Sequence, residues 1–239
     1  VPVPHRRWSA ALAVAAALLV ATACQPVARP LTTQYTTTVV AALTPDGGDR
    51  YTFHSTTHGM IVRAPTTNAG SNLRMVGYKR AWTASVDQEA CVTWASGADQ
   101  LAQPGIALRI VASDQRVRSI LVTNNILFGQ RRIFNVHLGD TAASQQLVKV
   151  GSASFDWASK VELPWTLCAR AVGRTITLKV WPAGDQPTAP AWDDPEHAAS
   201  FTVPQAWATA GRPGFYAGHL AAGQELTYSA ISGGPVPTS

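Results

Sequence analysis

The feature that most constrains this chain is a succession of short stretches in which apolar and polar residues alternate, each cut off by Gly, Pro, Asn or Asp. No segment holds a clean 3.6-residue period over several turns. From Arg50 onward the stretches are 51–54, 60–64, 72–78, 85–94, 105–112, 117–127, 133–138, 146–152, 165–172, 175–181, and 214–231 in two pieces. A period of two turns one face of each strand toward a core and the other toward water. So many short strands with turn residues between them predict an all-β fold, an antiparallel sandwich or barrel built as one domain. The 239 residues are ample for its core.

The start of the chain has a different character. His5, Arg6 and Arg7 are basic, 9–20 is an apolar run rich in Ala, Val and Leu, and Ala21, Thr22 and Ala23 place small residues before Cys24. The run falls short of the about 20 residues that a membrane-spanning helix needs. It therefore reads as a processing signal. This arrangement resembles the bacterial lipoprotein signal, which implies cleavage after residue 23, lipidation of Cys24 and anchoring at the outer face of the cytoplasmic membrane. An ordinary secreted protein cut after Ala23 is the alternative. Residues 24–49, rich in Thr, Pro and Ala with a Pro-Asp-Gly-Gly turn at 45–48, are expected to form a tether. Within them, 34–42 has the β-branched content of a strand that pairs with the edge of the domain at 50–239.

Charge and cysteine content narrow the function classes. The 19 basic and 14 acidic residues give a net charge of +5, spread along the chain without the basic stripe that nucleic-acid binding requires. With Cys24 assigned to lipid, Cys91 and Cys168 remain as an even pair in an oxidising compartment, and a disulfide is the simple reading. No Cys-x-x-Cys spacing points to a metal or a catalytic thiol.

Parity locates both cysteines. Around the first, Val86, Ala90, Val92 and Trp94 face the core while Asp87, Glu89, Cys91 and Thr93 face away. Around the second, Trp165, Leu167, Ala169 and Ala171 face the core, leaving Thr166, Cys168 and Arg170 opposite. A bridge then requires the two strands to be neighbours in one sheet. Continued along the chain, the same parity sets Arg109 against Leu108 and Ile110, sets Asn135 and His137 against Phe134, Val136 and Leu138, and sets Thr177, Lys179 and Trp181 against Ile176, Leu178 and Val180. The expectation is one sheet with a decorated polar face that carries Trp181.

The phrases Arg170-Ala-Val-Gly-Arg-Thr-Ile-Thr-Leu-Lys-Val-Trp181, Pro190-Ala-Trp192 and Gly211-Arg-Pro-Gly-Phe-Tyr-Ala-Gly218, followed by a closing strand, resemble the C-terminal half of concanavalin A-like lectin and glucanase domains. The resemblance implies a two-sheet jelly roll whose concave polar face often binds glycans. Such a fold does not by itself assign an activity.

The chemistry on offer is sparse. Asp87 and Glu89, two apart on one strand, lie within the separation that glycoside hydrolysis uses. The glucanases that resemble this chain carry Glu-x-Asp-x-Glu there, and Ser85 stands in the nucleophile's place. The two carboxylates are therefore weak catalytic candidates, expected instead to pair with Arg109 or Arg170. His137 and Asp140 do not make a metal site, since two ligands are too few and the other histidines lack ligand spacing. No metal or other cofactor is expected. Ligand contacts are expected from Trp181 as a stacking platform, Arg109, His137 and Arg170 beside it, and Trp157 at the rim. Asn124 and Asn125 read as a strand end. The sequence points to a lipid-anchored β-sandwich that binds a glycan or another envelope component without catalysis, with a glucanase-type hydrolase and an envelope scaffold protein as the alternatives.

Overall fold

A computed structural model describes residues 32–44, 50–67, 73–97, 102–126, 132–184 and 188–237. The signal at 1–23, Cys24 and the turn at 45–48 lie outside the described residues. Numbered in chain order, the strands are β1 (Thr32–Gln34), β2 (Thr38–Thr44), β3 (Thr52–Ser55), β4 (Met60–Arg63), β5 (Arg74–Lys79), β6 (Gln88–Ser96), β7 (Gln103–Ala112) and β8 (Val117–Ile126). They continue as β9 (Arg132–Asp140), β10 (Leu147–Ala153), β11 (Trp165–Val172), β12 (Thr175–Pro182), β13 (Ala198–Thr202), β14 (Arg212–Gly218) and β15 (Glu225–Pro235). Every pairing is antiparallel, in an eight-stranded sheet ordered β1-β2-β5-β14-β7-β8-β9-β10 and a seven-stranded sheet ordered β13-β12-β11-β6-β15-β4-β3. This is the predicted all-β sandwich. No helix among the described residues is long and apolar enough to cross a membrane.

The inner faces of the two sheets make one core. Val40, Met75, Ile106, Leu108, Ile120, Val122, Phe134, Val136 and Phe215 come from the eight-stranded sheet, and Met60, Val62, Val92, Trp94, Trp165, Leu167, Ile176, Leu178 and Tyr228 from the other. Tyr228 also ties the sheets by a polar contact, its hydroxyl donating to the Tyr216 carbonyl and accepting from the Gly105 N–H at 2.8 Å.

Two segments depart from the simple reading. The strand expected within 34–42 is β2, which pairs with β5 along its length and buries Val39 to Leu43. That part of the expected tether belongs to the sandwich. The edge strand β13 has no counterpart among the predicted stretches. Its Ala-Ala-Ser start has little β propensity, and it is held by its ladder to β12 and by Phe201 against the core.

The parity argument for the cysteines holds. Cys91 and Cys168 are direct cross-strand partners on β6 and β11, bonded as a disulfide with Cα atoms 4.1 Å apart.

The outer faces of the two sheets and a candidate binding site

The residues expected on a single polar face are divided among three places. Glu89, Arg170 and Trp181 lie on the outer face of the seven-stranded sheet, His137 on the outer face of the eight-stranded sheet, and Arg109 at one end of the sandwich. Parity specifies which side of a strand a residue occupies. It does not say which sheet the strand joins.

The outer face of the seven-stranded sheet is covered around β12, and its charged groups are paired. Glu89 accepts two bonds from Arg170, from Nε at 3.0 Å and Nη2 at 2.8 Å. Asp87 accepts the Gly173 N–H at 2.8 Å. The carboxylates offered as catalytic candidates are thus occupied, Glu89 by the arginine the sequence named. Trp181 is only 8% exposed, which corrects its role as an open platform. The segment returning from β12 crosses this face: Lys179 donates from Nζ to the Pro190 carbonyl at 2.7 Å, and the Trp192 ring lies 4.5 Å from that ammonium and 4.3 Å from the Arg170 guanidinium. Burial lowers the Lys179 pKa, opposed by the Glu89 charge and helped by that of Arg170.

Arg109 is a structural clamp. It sits in the left-handed region at φ 53°, within a break in the β7 register. Its guanidinium donates to the carbonyls of Val86 at 3.0 Å, Trp207 at 2.7 Å and Gly173 at 2.5 Å, and its N–H reaches Gln88 Oε1 at 2.9 Å. Gly211 permits this bend, since a Cβ there would lie 2.4 Å from the Arg109 carbonyl carbon. Arg109→Ala is expected to lower stability by about 1 to 3 kcal/mol in urea unfolding, because buried carbonyls lose their donors. Unchanged stability would mean that water replaces the guanidinium without cost.

Trp157 anchors a loop. The ring stacks on Phe155 at 6.4 Å, meets the edge of Trp165 at 5.7 Å and lies 5.6 Å from His197, while Nε1 donates to the Glu196 carbonyl at 3.1 Å. A depression of about 430 Å³ beside it is lined by Ser154, Asp156, Pro195 and Glu196. Phe155 and the half-buried Trp157 complete that lining, so the ring both anchors the loop and forms part of the depression's rim. His137 and Asp140 fall on opposite sides of β9, and Asp140 is engaged by Arg116, with Nε 2.8 Å from Oδ1.

The outer face of the eight-stranded sheet remains. Leu43 of β2 and Gly139 of β9 stand five strands apart, about 24 Å in a flat sheet. Yet a Cβ on Gly139 would lie 3.2 Å from Leu43 Cδ2 and 3.5 Å from Leu147 Cδ2. The sheet therefore curls with this face concave. Ala41, Leu43, Val76, Ala107, Ile110, Val117, Leu121 and Tyr216 form a second apolar cluster within the curl.

Beside that cluster is a cavity of about 100 Å³ lined by Arg74, Gln103, Leu121, Thr123, Asn125, His137, Leu147 and Tyr216. The ladder brings them together, because Leu121 pairs with His137, Thr123 with Asn135, and Gly218 with both Arg74 and Gln103. The Tyr216 hydroxyl donates to Gln103 Oε1 at 3.3 Å and is also hydrogen-bonded to Arg74, while burial raises its pKa well above the usual phenol value. Thr123, 2% exposed, and its neighbour Asn135, 8% exposed, each bury a side-chain oxygen without a hydrogen-bond partner among the described residues. Such atoms are costly unless something pairs them.

His137 has its pKa pushed down to about 4, first by burial and then by the positive charges of Lys149 and Arg74. The folded value is below the unfolded one near 6.5, so the unfolded chain binds the proton first as pH falls. The stability associated with neutral His137 is complete above pH 6.5 and is lost between 6.5 and about 4. His137→Gln is expected to flatten that part of a stability-against-pH curve, and an unchanged slope would show that His137 titrates normally.

Of this set, the sequence reading named His137 as a ligand contact and put Asn135 on the decorated face; Asn125 was read as a strand end. Arg74, Gln103, Thr123 and Tyr216 were missed, although Gln103, Thr123 and Asn125 obey the same period-two signal. What was lacking was the strand order that brings them side by side.

No protein-family model and no curated protein matches the sequence. Solved structures do match. A legume lectin-like domain from Entamoeba histolytica superposes with a TM-score of 0.52 at 7% identity, covering 84% of this chain and 91% of that one. The Bacteroides ovatus xyloglucan PUL GH43B gives 0.50 at 10% identity over 85% of this chain and 38% of its own. The carbohydrate-binding module CBM66 from Bacillus subtilis gives 0.48 at 8% identity over 81% and 94%. At these identities the likeness is one of fold. Two stacked antiparallel sheets, one curled around a polar-lined hollow, give this chain the concanavalin A-like jelly-roll fold that its C-terminal phrases implied.

Proposed function

We propose that this protein is a non-catalytic glycan-binding module, exported and held at the outer face of the cytoplasmic membrane by lipid on Cys24, with its saccharide site on the concave face of the eight-stranded sheet. The observation that carries the reading is the convergence of Arg74, Gln103, Thr123, Asn125, His137 and Tyr216 on one small hollow with an apolar wall. Amides, hydroxyls and a guanidinium supply both donors and acceptors, which a sugar ring needs on its rim, while Leu121 and Leu147 offer an apolar surface to its C–H face. The fold shared with a lectin-like domain supports the same class. Against a hydrolase, Asp87 and Glu89 are each engaged on the opposite sheet and do not face this hollow.

The test is glycan-array binding of the full chain, with Gln103→Ala beside it. Retained glycans that Gln103→Ala loses would support the site. Hydrolysis of a bound polysaccharide that disappears in Glu89→Gln would replace the reading with the glucanase alternative. Binding to no glycan at all would favour the scaffold alternative. Anchoring has its own test, in which Cys24→Ser moves the protein from the membrane fraction to the soluble exported one.

A further inference from the structure

We infer that the hollow on the concave face is a blind pocket that receives the terminal sugar unit of a glycan end-on and takes no interior stretch of a chain. This rests on the glycan-binding reading above and concerns which part of a glycan enters. Leu121 and Tyr216, each 1% exposed, belong both to the lining and to the second apolar cluster, so that cluster is the floor of the hollow. Beyond the floor the curl is packed shut. Ala41, Leu43, Val76, Ala107 and Val117 are buried there, and Leu43 of β2 and Leu147 of β10 converge over Gly139. A chain running along the concave face would have to pass through these side chains. Gln103, Asn125, His137 and Leu147 are only half-buried and form the rim. The way in is over this rim, and the far side is closed.

Size and chemistry agree with that shape. The cavity of about 100 Å³ has the liquid volume of about three waters. This is well short of the roughly 300 Å³ at which pockets for whole drug-sized ligands begin. It admits the leading edge of one sugar ring. A ring inside a chain carries a neighbour on each side and needs two exits, whereas a terminal ring is linked on one side and presents free hydroxyls on the other. The hollow offers those hydroxyls partners. Thr123 Oγ1, on a residue 2% exposed, has no hydrogen-bond partner among the described residues, and Asn135 Oδ1 on the paired strand is in the same state. Such buried atoms are costly until something pairs them. At the rim the side-chain amides of Gln103 and Asn125 can both donate and accept, where the outer edge of the same ring would lie.

The experiment measures binding of the full chain to gluco-, manno-, xylo-, galacto- and galacturono-oligosaccharides of graded length, and to cyclic glucans, which have no end. For the series that binds, affinity per molecule is expected to change less than threefold beyond the disaccharide, and the cyclic glucans should not bind. Cleaving the parent polysaccharide with an endo-hydrolase should raise the number of binding sites in step with the number of ends. Thr123→Val should weaken binding roughly three- to tenfold, the worth of one hydrogen bond, with the unfolding midpoint kept or raised because an unpaired buried hydroxyl is removed. Gln103→Ala at the rim should weaken it similarly and serves if the Thr123 variant fails to fold. Affinity that climbs with every added unit, or capture of cyclic glucans, with Gln103→Ala weakening either, would overturn the end-on inference while the glycan site stands. Glycan binding that neither variant weakens lies elsewhere and overturns both readings, as does binding to no glycan at all.

Discussion

Trp165→Ala is expected to lower the unfolding free energy by about 3 to 5 kcal/mol, the largest loss from any single side chain in this sandwich. Trp165 is 2% exposed at the start of β11 and sits at the centre of an aromatic group drawn from both sheets. Its ring meets Trp94 edge-on at 5.7 Å, Phe134 at 6.5 Å and Trp157 at 5.7 Å, while the Arg132 guanidinium lies over it at 4.6 Å. The indole N–H donates to the Glu162 carbonyl at 3.1 Å. Truncation opens a cavity that strands in hydrogen-bonded ladders on both sides cannot collapse to fill. It also removes the surface on which Trp157 rests, so loosening of the loop around 155–160 should accompany the loss. Urea unfolding and limited proteolysis read the two effects. A loss below about 1 kcal/mol would mean that the aromatic group repacks and that the core is less tightly determined than its burial indicates.

The disulfide carries the second prediction. Replacing Cys91 and Cys168 together by Ser should cost about 2 to 5 kcal/mol, because the bond closes a loop of 77 residues in the unfolded chain. The strands are already paired without it, with Glu89 opposite Arg170 and Thr93 opposite Thr166, so the native register should survive. The expected signature is a lower urea midpoint with an unchanged far-ultraviolet spectrum, matched by adding reductant to the wild type. Equal midpoints with and without reductant would remove the constraint argument. Free thiols at both positions in protein taken from its native envelope would remove the bond itself.

The fate of the five residues once expected on a single face marks where sequence reasoning stops. Within β6 and β11 alternation identified inner and outer residues correctly and, through the two cysteines, their shared sheet, but Val86, expected in the core, precedes β6 and is exposed. At Arg109 alternation fails within a strand. Leu108 enters the main core, whereas Ile110 joins the cluster on the opposite side of the same sheet, because a residue with positive φ rotates the chain between them. At Trp181 alternation is right and the environment is not. The ring does face outward, and a segment that crosses the sheet afterwards covers it.

From the sequence alone came most of the strands, the side of most of them that enters the core, the disulfide and the class of fold, all of which are written in local periodicity and in the count of cysteines. The concave site came only from the tertiary structure. Its residues are drawn from β5, β7, β8, β9, β10 and β14, elements spread over most of the chain, and no local pattern encodes that β14 lies between β5 and β7. Nor does any local pattern encode that the sheet curls until Leu43 approaches Gly139. Strand order and curvature are settled by how two large apolar faces cover each other, an energy summed over the whole sandwich and held by no single segment of it.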